Sequence, residues 1–144
     1  MAEPAEKKAV RSFEELRIFQ EARELVRETY SVIRSGPLAR DHALADQMRR
    51  SVISVLSNIA EGFERETDAE FIRSLYIAKG SCGELRAQLL VAADLKCLSA
   101  QTHDEPASRC RKISAGLSNL IAYLKRGRNS EKSSRRREGN TTHD

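Results

Sequence analysis

QMRRSVISVLSNIAEGFER, residues 47–65, contains no Pro and repeats apolar residues at the three- and four-residue spacing of an α-helix. The helix should begin after Asp41 and end at Gly62 or about one turn beyond it. At about 100° per residue, its apolar side chains cover an arc of about 160°. That arc exceeds the stripe of about 100° with which a helix faces one core. The stretch therefore predicts a helix with apolar surface to spare, formed by Met48, Val52, Ile53, Val55, Leu56, Ile59, Ala60 and Phe63.

The segment upstream of this helix predicts another one. Ser12 and Glu15 form a capping box, whose side chains bond backbone N–H groups of the first turn. The helix that follows continues to about Arg34, where Ser35-Gly36-Pro37 ends it. Its apolar arc is again about 160° wide. The residues of this arc are Ile18, Phe19, Ala22, Leu25, Val26, Tyr30, Val32 and Ile33.

Two further helices are expected downstream. Residues 67–70, Thr-Asp-Ala-Glu, form a second capping box, and the helix that it opens runs to about Leu95. Residues 99–105 are expected to form a loop, with Pro106 in the first turn of a fourth helix that ends near Gly127. Four helices with short connections predict an all-α fold, an antiparallel up-down-up-down four-helix bundle.

Surplus apolar surface suggests that copies of the chain associate. Besides its main stripe, the third helix carries a second one of Ile77, Val91 and Leu95, about 120° away. The fourth helix has only one apolar face, about 100° wide. A monomer would expose the surplus of the first three helices, so we expect a homo-oligomer. The alternative is that broad arcs only reflect a tightly packed core.

Small polar residues follow one face of the second helix. Arg50, Ser54, Asn58 and Glu61 are spaced by four, four and three residues, so they share a face. Serines occur where an exposed helix usually carries long charged side chains, which favours close contact with a neighbouring helix through buried hydrogen bonds. The alternative is an ordinary solvated face. Gly80 and Gly83 of the third helix are likewise expected to allow close packing.

Two charged residues lie within apolar surfaces. Arg49 projects into the apolar arc of the second helix, and Glu84 lies in the second stripe of the third. Because an unpaired buried charge is costly, we expect Arg49 or Arg50 to pair with Glu84, within one subunit or between two. Alternatively, these long side chains reach solvent and remain unpaired.

The net charge of +4 is concentrated at the C-terminus. Residues 1–124 contain 18 basic and 18 acidic residues, whereas residues 125–144 contain seven basic and three acidic ones. The domain prediction is a disordered segment over 1–11, a bundle over 12–126 and a disordered basic tail over 127–144. The basic residues of the C-terminal segment are Lys125, Arg126, Arg128, Lys132, Arg135, Arg136 and Arg137.

This basic segment has two interpretations. As a flexible arm it would neutralise phosphates, and its seven basic residues would contact RNA or single-stranded DNA, with Arg49 and Arg50 as further candidates on the bundle. It can also be a solubilising end, because acidic residues are interleaved and no aromatic residue is available to stack on bases.

Nothing in the sequence indicates an enzyme. The motifs GxxxxGK[ST], GxGxxG and GxSxG are absent, and His42, His103 and His143 fall outside any metal-binding spacing. The Arg–His spacing of helical ribonucleases of the HEPN type is also missing. Cys82, Cys97 and Cys110 form no CxxC, so we expect reduced packing residues and no cofactor or metal. Without a signal peptide or an apolar span, the chain is expected to be soluble, cytoplasmic and not membrane-bound.

FEELRIFQEARELVRETY, QMRRSVISVLSNIAEGFER and EFIRSLYIAKGSCGELRAQLL together resemble a known family. It is the bacterial four-helix-bundle family encoded in intervening sequences of large-subunit (23S) ribosomal RNA genes. The resemblance covers residues 13–124 and is most specific at SNIAEG, residues 57–62, and in the GSxxEL of the third helix. Carried onto this sequence, the motif positions are Arg49, Arg50, Asn58, Glu61, Gly62, Ser81 and Glu84. Leu56 and Glu64 depart from the family's frequent Pro and Gly, which predicts a straighter second helix with a less sharp end.

The resemblance implies an assembly and a class of partners. Family members form ring-like homopentamers, and the chain is also similar to accessory proteins of diversity-generating retroelements, where the ring is thought to bind nucleic acid and a reverse transcriptase. The leading hypothesis is a non-enzymatic homo-oligomer that binds RNA or assists a reverse transcriptase. The alternatives are a scaffold that binds only protein partners and, more distantly, an RNA-processing enzyme.

Overall fold

The computed structural model describes residues 10–139 as four helices, with no strand in that range. Each helix packs on its neighbours in the chain, the last returns to the first, and the second and third share the most extensive contact. Because the connections are short, neighbouring helices run antiparallel. The prediction of an all-α four-helix fold is confirmed for α1 (Arg17–Arg34), α2 (His42–Phe63), α3 (Asp68–Asp94) and α4 (Ala100–Gly139).

All four helices contribute to one core, as the residue count of the chain leads us to expect. The predicted apolar face of α4 is inside it, with Cys110, Ile113 and Leu117 almost completely buried. The largest fully buried side chains of the other helices are Leu25, Ile33, Met48, Ile59, Leu75, Leu85 and Leu89.

Local capping determines where α2 and α3 begin. The Asp41 carboxylate accepts a hydrogen bond from the Leu44 N–H at 3.1 Å, and Thr67 Oγ1 accepts one from the Glu70 N–H at 3.2 Å. Each bond satisfies a donor that the first turn of a helix leaves without an intrahelical partner. The predicted start of each helix is confirmed.

The predicted capping box at Ser12 is wrong. Its hydroxyl makes no capping bond, and the chain forms a short 3-10 turn over Phe13–Glu15 before α1 begins at Arg17. The rings of Phe13 and Phe19 lie 4.8 Å apart, edge to face, against the core. The half-buried Phe13 thus packs against the core in a 3-10 turn that precedes α1, where the sequence predicted a cap.

Both predicted ends of the fourth helix are also wrong. Ser99 Oγ accepts from the Thr102 N–H at 3.1 Å, so α4 starts at Ala100 and Pro106 lies in its second turn. At the other end the helix continues beyond Gly127 to Gly139, where disorder was expected. Extending an existing helix costs little per residue, and no Pro stops this one. The expected disorder of residues 1–9 and 140–144 concerns segments outside the described range.

Glycines mark two close approaches between helices. A Cβ on Gly62 of α2 would lie 2.7 Å from Ser74 Cβ of α3, and one on Gly116 of α4 would lie 2.8 Å from Ile18 Cγ2 of α1. At Gly80 and Gly83 a Cβ would meet nothing within 4 Å. The expected close packing of these two glycines is therefore not made within the chain.

Candidate nucleic-acid interface

The last part of α4 projects beyond the bundle. At about 1.5 Å per residue, its 40 residues span about 60 Å, whereas the 27 residues of α3 span about 40 Å. Ile121 is the last buried residue of α4, and residues 126–138 are exposed apart from the half-buried Arg128. We call residues 125–139 the basic arm. Seven of its side chains are basic and two are acidic.

Lys125 connects the basic arm to the bundle. Its ammonium donates to Tyr76 Oη of α3 at 2.7 Å and lies 5.1 Å from the centre of the Tyr76 ring. A cation beside an aromatic ring is attracted by the electrons of the ring face. This contact holds the base of the arm on α3.

Helical geometry gathers most of the arm's positive charge on one side. At about 100° per residue, five of the seven basic residues fall within an arc of about 100°, in a row about 16 Å long. Arg126 and Arg137 lie outside this arc, as do Glu131 and Glu138, which are about 40° and 60° beyond its edge at Arg135. We call the row the basic stripe: Lys125, Arg128, Lys132, Arg135 and Arg136.

The basic stripe is available to an outside anion. Among the described residues, Arg128, Lys132, Arg135 and Arg136 form no ion pair. A helical row of unpaired cations attracts polyanions such as nucleic-acid phosphates. Five of the seven arm residues predicted from charge thus share one side of a helix whose continuation to Gly139 the sequence analysis did not predict.

Arg49 and Arg50 do not join this surface. Phe63, at the end of α2, lines the same groove as Leu124 at the base of the arm. Arg49 precedes Phe63 by 14 residues, a distance of about 20 Å along the helix. Its guanidinium pairs with Asp46 at 2.8 Å.

Three of the family-motif residues, Asn58, Ser81 and Glu84, form a polar seam between α2 and α3 together with Ser51 and Ser54. Ser54 Oγ lies 2.8 Å from Ser81 Oγ, and Asn58 Nδ2 donates to the Ser54 carbonyl at 2.9 Å. Ser51 Oγ donates to the Glu84 carboxylate at 3.2 Å. The predicted close helix contact with hydrogen bonds is confirmed at Ser51 and Ser54. These residues stabilise the contact between α2 and α3, and Glu61 pairs with Arg65, which follows the end of α2.

The predicted pair between Glu84 and Arg49 or Arg50 is not formed within the chain. Glu84 is exposed and accepts hydrogen bonds from Ser51 and Gln88, whereas Arg49 is paired with Asp46. The partner at i−3 is local and needs no approach of another helix, so Asp46 takes the guanidinium. A pair between two copies stays a prediction.

A half-buried ion cluster joins α1 and α4, and sequence reasoning missed it. Arg109 donates to Glu28 at 2.6 Å and to Glu21 at 2.5 Å, and Lys112 donates to Glu21 at 3.1 Å. The carboxylates precede Arg109 by 81 and 88 residues. No local spacing could have revealed contacts at such separations.

The pKa values of the two carboxyl groups in this cluster are shifted in opposite directions. Burial raises the pKa of Glu28 above 4.5, against the opposing hydrogen bond from Arg109. The hydrogen bond from Lys112 lowers the pKa of Glu21 below 4.5; burial opposes it, and Arg109 adds to it. Glu28 therefore favours its proton in the folded chain, and Glu21 favours its charge.

These shifts predict opposite pH dependences for two matched variants. As pH falls from 7 to 4.5, the wild-type chain should gain stability relative to Glu28→Gln, because folding favours the protonated carboxyl. Below pH 4.5 the wild-type chain should lose stability relative to Glu21→Gln, because folding favours the charged form of Glu21. Urea unfolding from pH 7 to 3 measures both differences. Parallel pH curves for the two variants would contradict the assignment.

The described part of the chain contains no candidate metal site, and two of its thiols are buried. Residues 10–139 hold no group of three His, Cys, Asp or Glu that could bind a metal ion. Burial raises the pKa of the Cys82 and Cys110 thiols to about 12, which suppresses the thiolate form. Their predicted role as packing residues is confirmed. Over the same range, every helix is too short or too polar to cross a membrane.

Comparisons with known proteins support the fold. A protein of unknown function from the S23 ribosomal protein family of Bacteroides thetaiotaomicron VPI-5482 has a similar structure, with a TM-score of 0.67 and 18% identity. The similarity covers 72% of this chain and 97% of that one. At this identity it establishes the fold alone. No curated protein matches the chain.

A family model matches residues 14–119, which include α1, α2, α3 and the first half of α4. The polar seam lies inside the match and the basic arm lies outside it. This match spans well over half of the chain, so the chain belongs to the 23S rRNA-intervening sequence protein family.

Proposed function

We propose that this chain is a non-enzymatic homo-oligomer that binds RNA or other nucleic acid through its basic arms, as an RNA-binding protein or an accessory of a reverse transcriptase. The observation that carries the proposal is the basic stripe, a row of cations that α4 holds clear of the bundle. Since the bundle itself is electroneutral, this stripe is where electrostatic attraction to phosphates is concentrated.

Self-association is supported by the outer surface of α3. Ile77, Val91 and Leu95 are exposed to 48%, 45% and 58%, with the open positions Gly80 and Gly83 beside them. A contiguous apolar surface of this kind is typical of an interaction site. We call this surface the α3 face: Ile77, Gly80, Gly83, Glu84, Ala87, Val91 and Leu95.

The charge at Glu84 favours a contact between two different surfaces. In a two-fold contact centred on the α3 face, two Glu84 carboxylates would oppose each other and repel. If α3 instead meets another surface of the next copy, Glu84 can pair with Arg49 or Arg50 there. Contacts between unlike surfaces close into rings when the rotation permits. The pentamer implied by the family resemblance is an assembly of this kind.

Assembly is tested by mass and by a charged substitution. At micromolar concentration, light scattering should give a multiple of the 16.2 kDa subunit. Val91→Asp should shift the population to monomers, because a carboxylate placed in an apolar contact loses its hydration. Ser108→Asp, at an exposed position of α4 away from the α3 face, should leave the mass unchanged. A wild-type monomer, or equal masses for both variants, would contradict the proposed contact.

The basic stripe is tested by two double variants of equal charge. Lys132→Gln with Arg135→Gln removes two cations from the stripe, and Arg126→Gln with Arg137→Gln removes two cations outside it. The first should reduce the slope of log affinity against log salt by about 1.4 for single-stranded RNA. The second should change that slope by less than about half as much. Equal effects, measured by fluorescence anisotropy, would show that only total charge matters.

The alternative function is a scaffold that binds only protein. The electroneutral bundle and the exposed α3 face support it, because neither needs a polyanion as ligand. Under this alternative, wild type and both arm variants bind no nucleic acid at low salt. RNA processing by an unrecognised active site would instead appear as cleavage of the RNA during the same titrations.

A further inference from the structure

We infer that the basic arm recognises double-stranded nucleic acid through its phosphate backbone. This inference rests on the proposed nucleic-acid binding and specifies the class of ligand. It follows from the shape of the arm, the absence of Phe, Tyr and Trp from the arm itself and the density of charge that the stripe can neutralise.

The basic stripe is a preformed, straight row of cations. Since α4 is continuous from the bundle into the arm, side chains at Arg128, Lys132 and Arg135 keep fixed spacings of about 4.5 to 6 Å along the helix. A duplex is stiff, with a persistence length of about 150 base pairs, so it meets such a row without further ordering. A flexible single strand would lose conformational entropy to align with it.

The arm lacks the aromatic side chains on which unpaired bases stack. Residues 124–144 contain no Phe, Tyr or Trp. Tyr123 is on the opposite side of α4 from the basic stripe, and Tyr76 lies on α3 at the base of the arm, with Lys125 over its ring. Proteins that bind single strands combine a cationic groove with stacking, which supplies about 1–3 kcal/mol per base. The arm itself offers cationic side chains but no Phe, Tyr or Trp on which bases could stack.

Charge density also favours a duplex. Double-stranded DNA carries one charge per about 1.7 Å of axis and releases about 0.9 counterion per contacted phosphate, against about 0.7 for a single strand. For the five cations of one stripe, a rise from about 50 to 200 mM salt should weaken duplex binding about 500-fold. The corresponding loss for a single strand is about 130-fold.

The test compares three probes on the full-length protein. They are a 20-base-pair RNA duplex, a DNA duplex of the same sequence, and one unstructured 20-nucleotide strand of the RNA. At about 50 mM salt, at least one duplex should bind about 10-fold or more tightly than the single strand, with the steeper salt dependence. The double variant Lys132→Gln, Arg135→Gln should lose most of this preference, while Arg126→Gln, Arg137→Gln keeps it.

The two duplexes distinguish how the arm docks. A helix about 10–12 Å wide fits the major groove of B-form DNA but not the deep, narrow one of A-form RNA. Equal affinity for both duplexes would show docking on the outer phosphates, and DNA preference would show entry into the groove; both support the inference. Single-strand binding as tight as duplex binding would overturn it and leave the proposed function standing. Binding to none of the probes would overturn both.

Discussion

Truncation after Leu124 is expected to reduce RNA binding at least about 100-fold at about 50 mM salt while the assembly stays intact. The truncation removes all seven basic residues of the arm, and the remaining 124 residues carry equal numbers of positive and negative side chains. It removes no core residue, because Ile121 is the last buried residue of α4. In an oligomer the loss is larger than for one arm, since several arms can hold one RNA.

A matched truncation controls for loss of chain length. Ending the chain after Gly139 removes five residues, none of them Lys or Arg, and should leave the affinity within about 2-fold of wild type. Light scattering on all three proteins checks that the assembly is the same. If truncation after Leu124 leaves binding unchanged, recognition lies on the bundle, with Arg49 and Arg50 the next candidates. If no form binds, the protein-scaffold alternative replaces the proposal.

Arg109→Gln is expected to have the largest effect on stability, a loss of about 2–4 kcal/mol at pH 7. The substitution removes the guanidinium that bridges Glu21 and Glu28. The side chains of these two residues are only 18% and 16% exposed, so water compensates little for its loss. Burying a carboxylate without its partner costs more than the pair contributes. The loss should shrink as pH falls, because Glu28 then takes up a proton and loses its charge.

Arg27→Gln is the control for this experiment. It removes an ion pair with Glu24 whose side chains are 60% and 49% exposed, so it should cost less than about 0.5 kcal/mol. Urea unfolding gives both values. Adding Glu28→Gln to Arg109→Gln should restore part of the stability by removing one stranded charge. A cost for Arg109→Gln no greater than that of Arg27→Gln would show that the cluster contributes little.

Local sequence alone determined most of the secondary structure. Asp41 and Thr67 cap helices within three residues of themselves, so their effect requires no knowledge of the rest of the chain. The same holds for the serine face of α2, because residues four apart lie on one side of any helix. The sequence predicted contact with a neighbouring helix but not which one; the structure shows that it is α3, where Ser81 meets Ser54.

Tertiary packing decided what local rules could not. The half-buried Phe13 packs against the core in a 3-10 turn and α1 begins only at Arg17, although Ser12 and Glu15 have the pattern of a cap. The Arg109 cluster forms because α1 and α4 are adjacent in the fold. Its side chains are more than 80 residues apart in the sequence, so no local pattern predicts their contact. The sequence likewise showed how much positive charge follows Leu124, but a count of charges does not say which of them share one side of the chain. Only because α4 continues through Gly127 do five of those cations form one stripe, since a helix fixes the angle between successive side chains and a disordered tail does not.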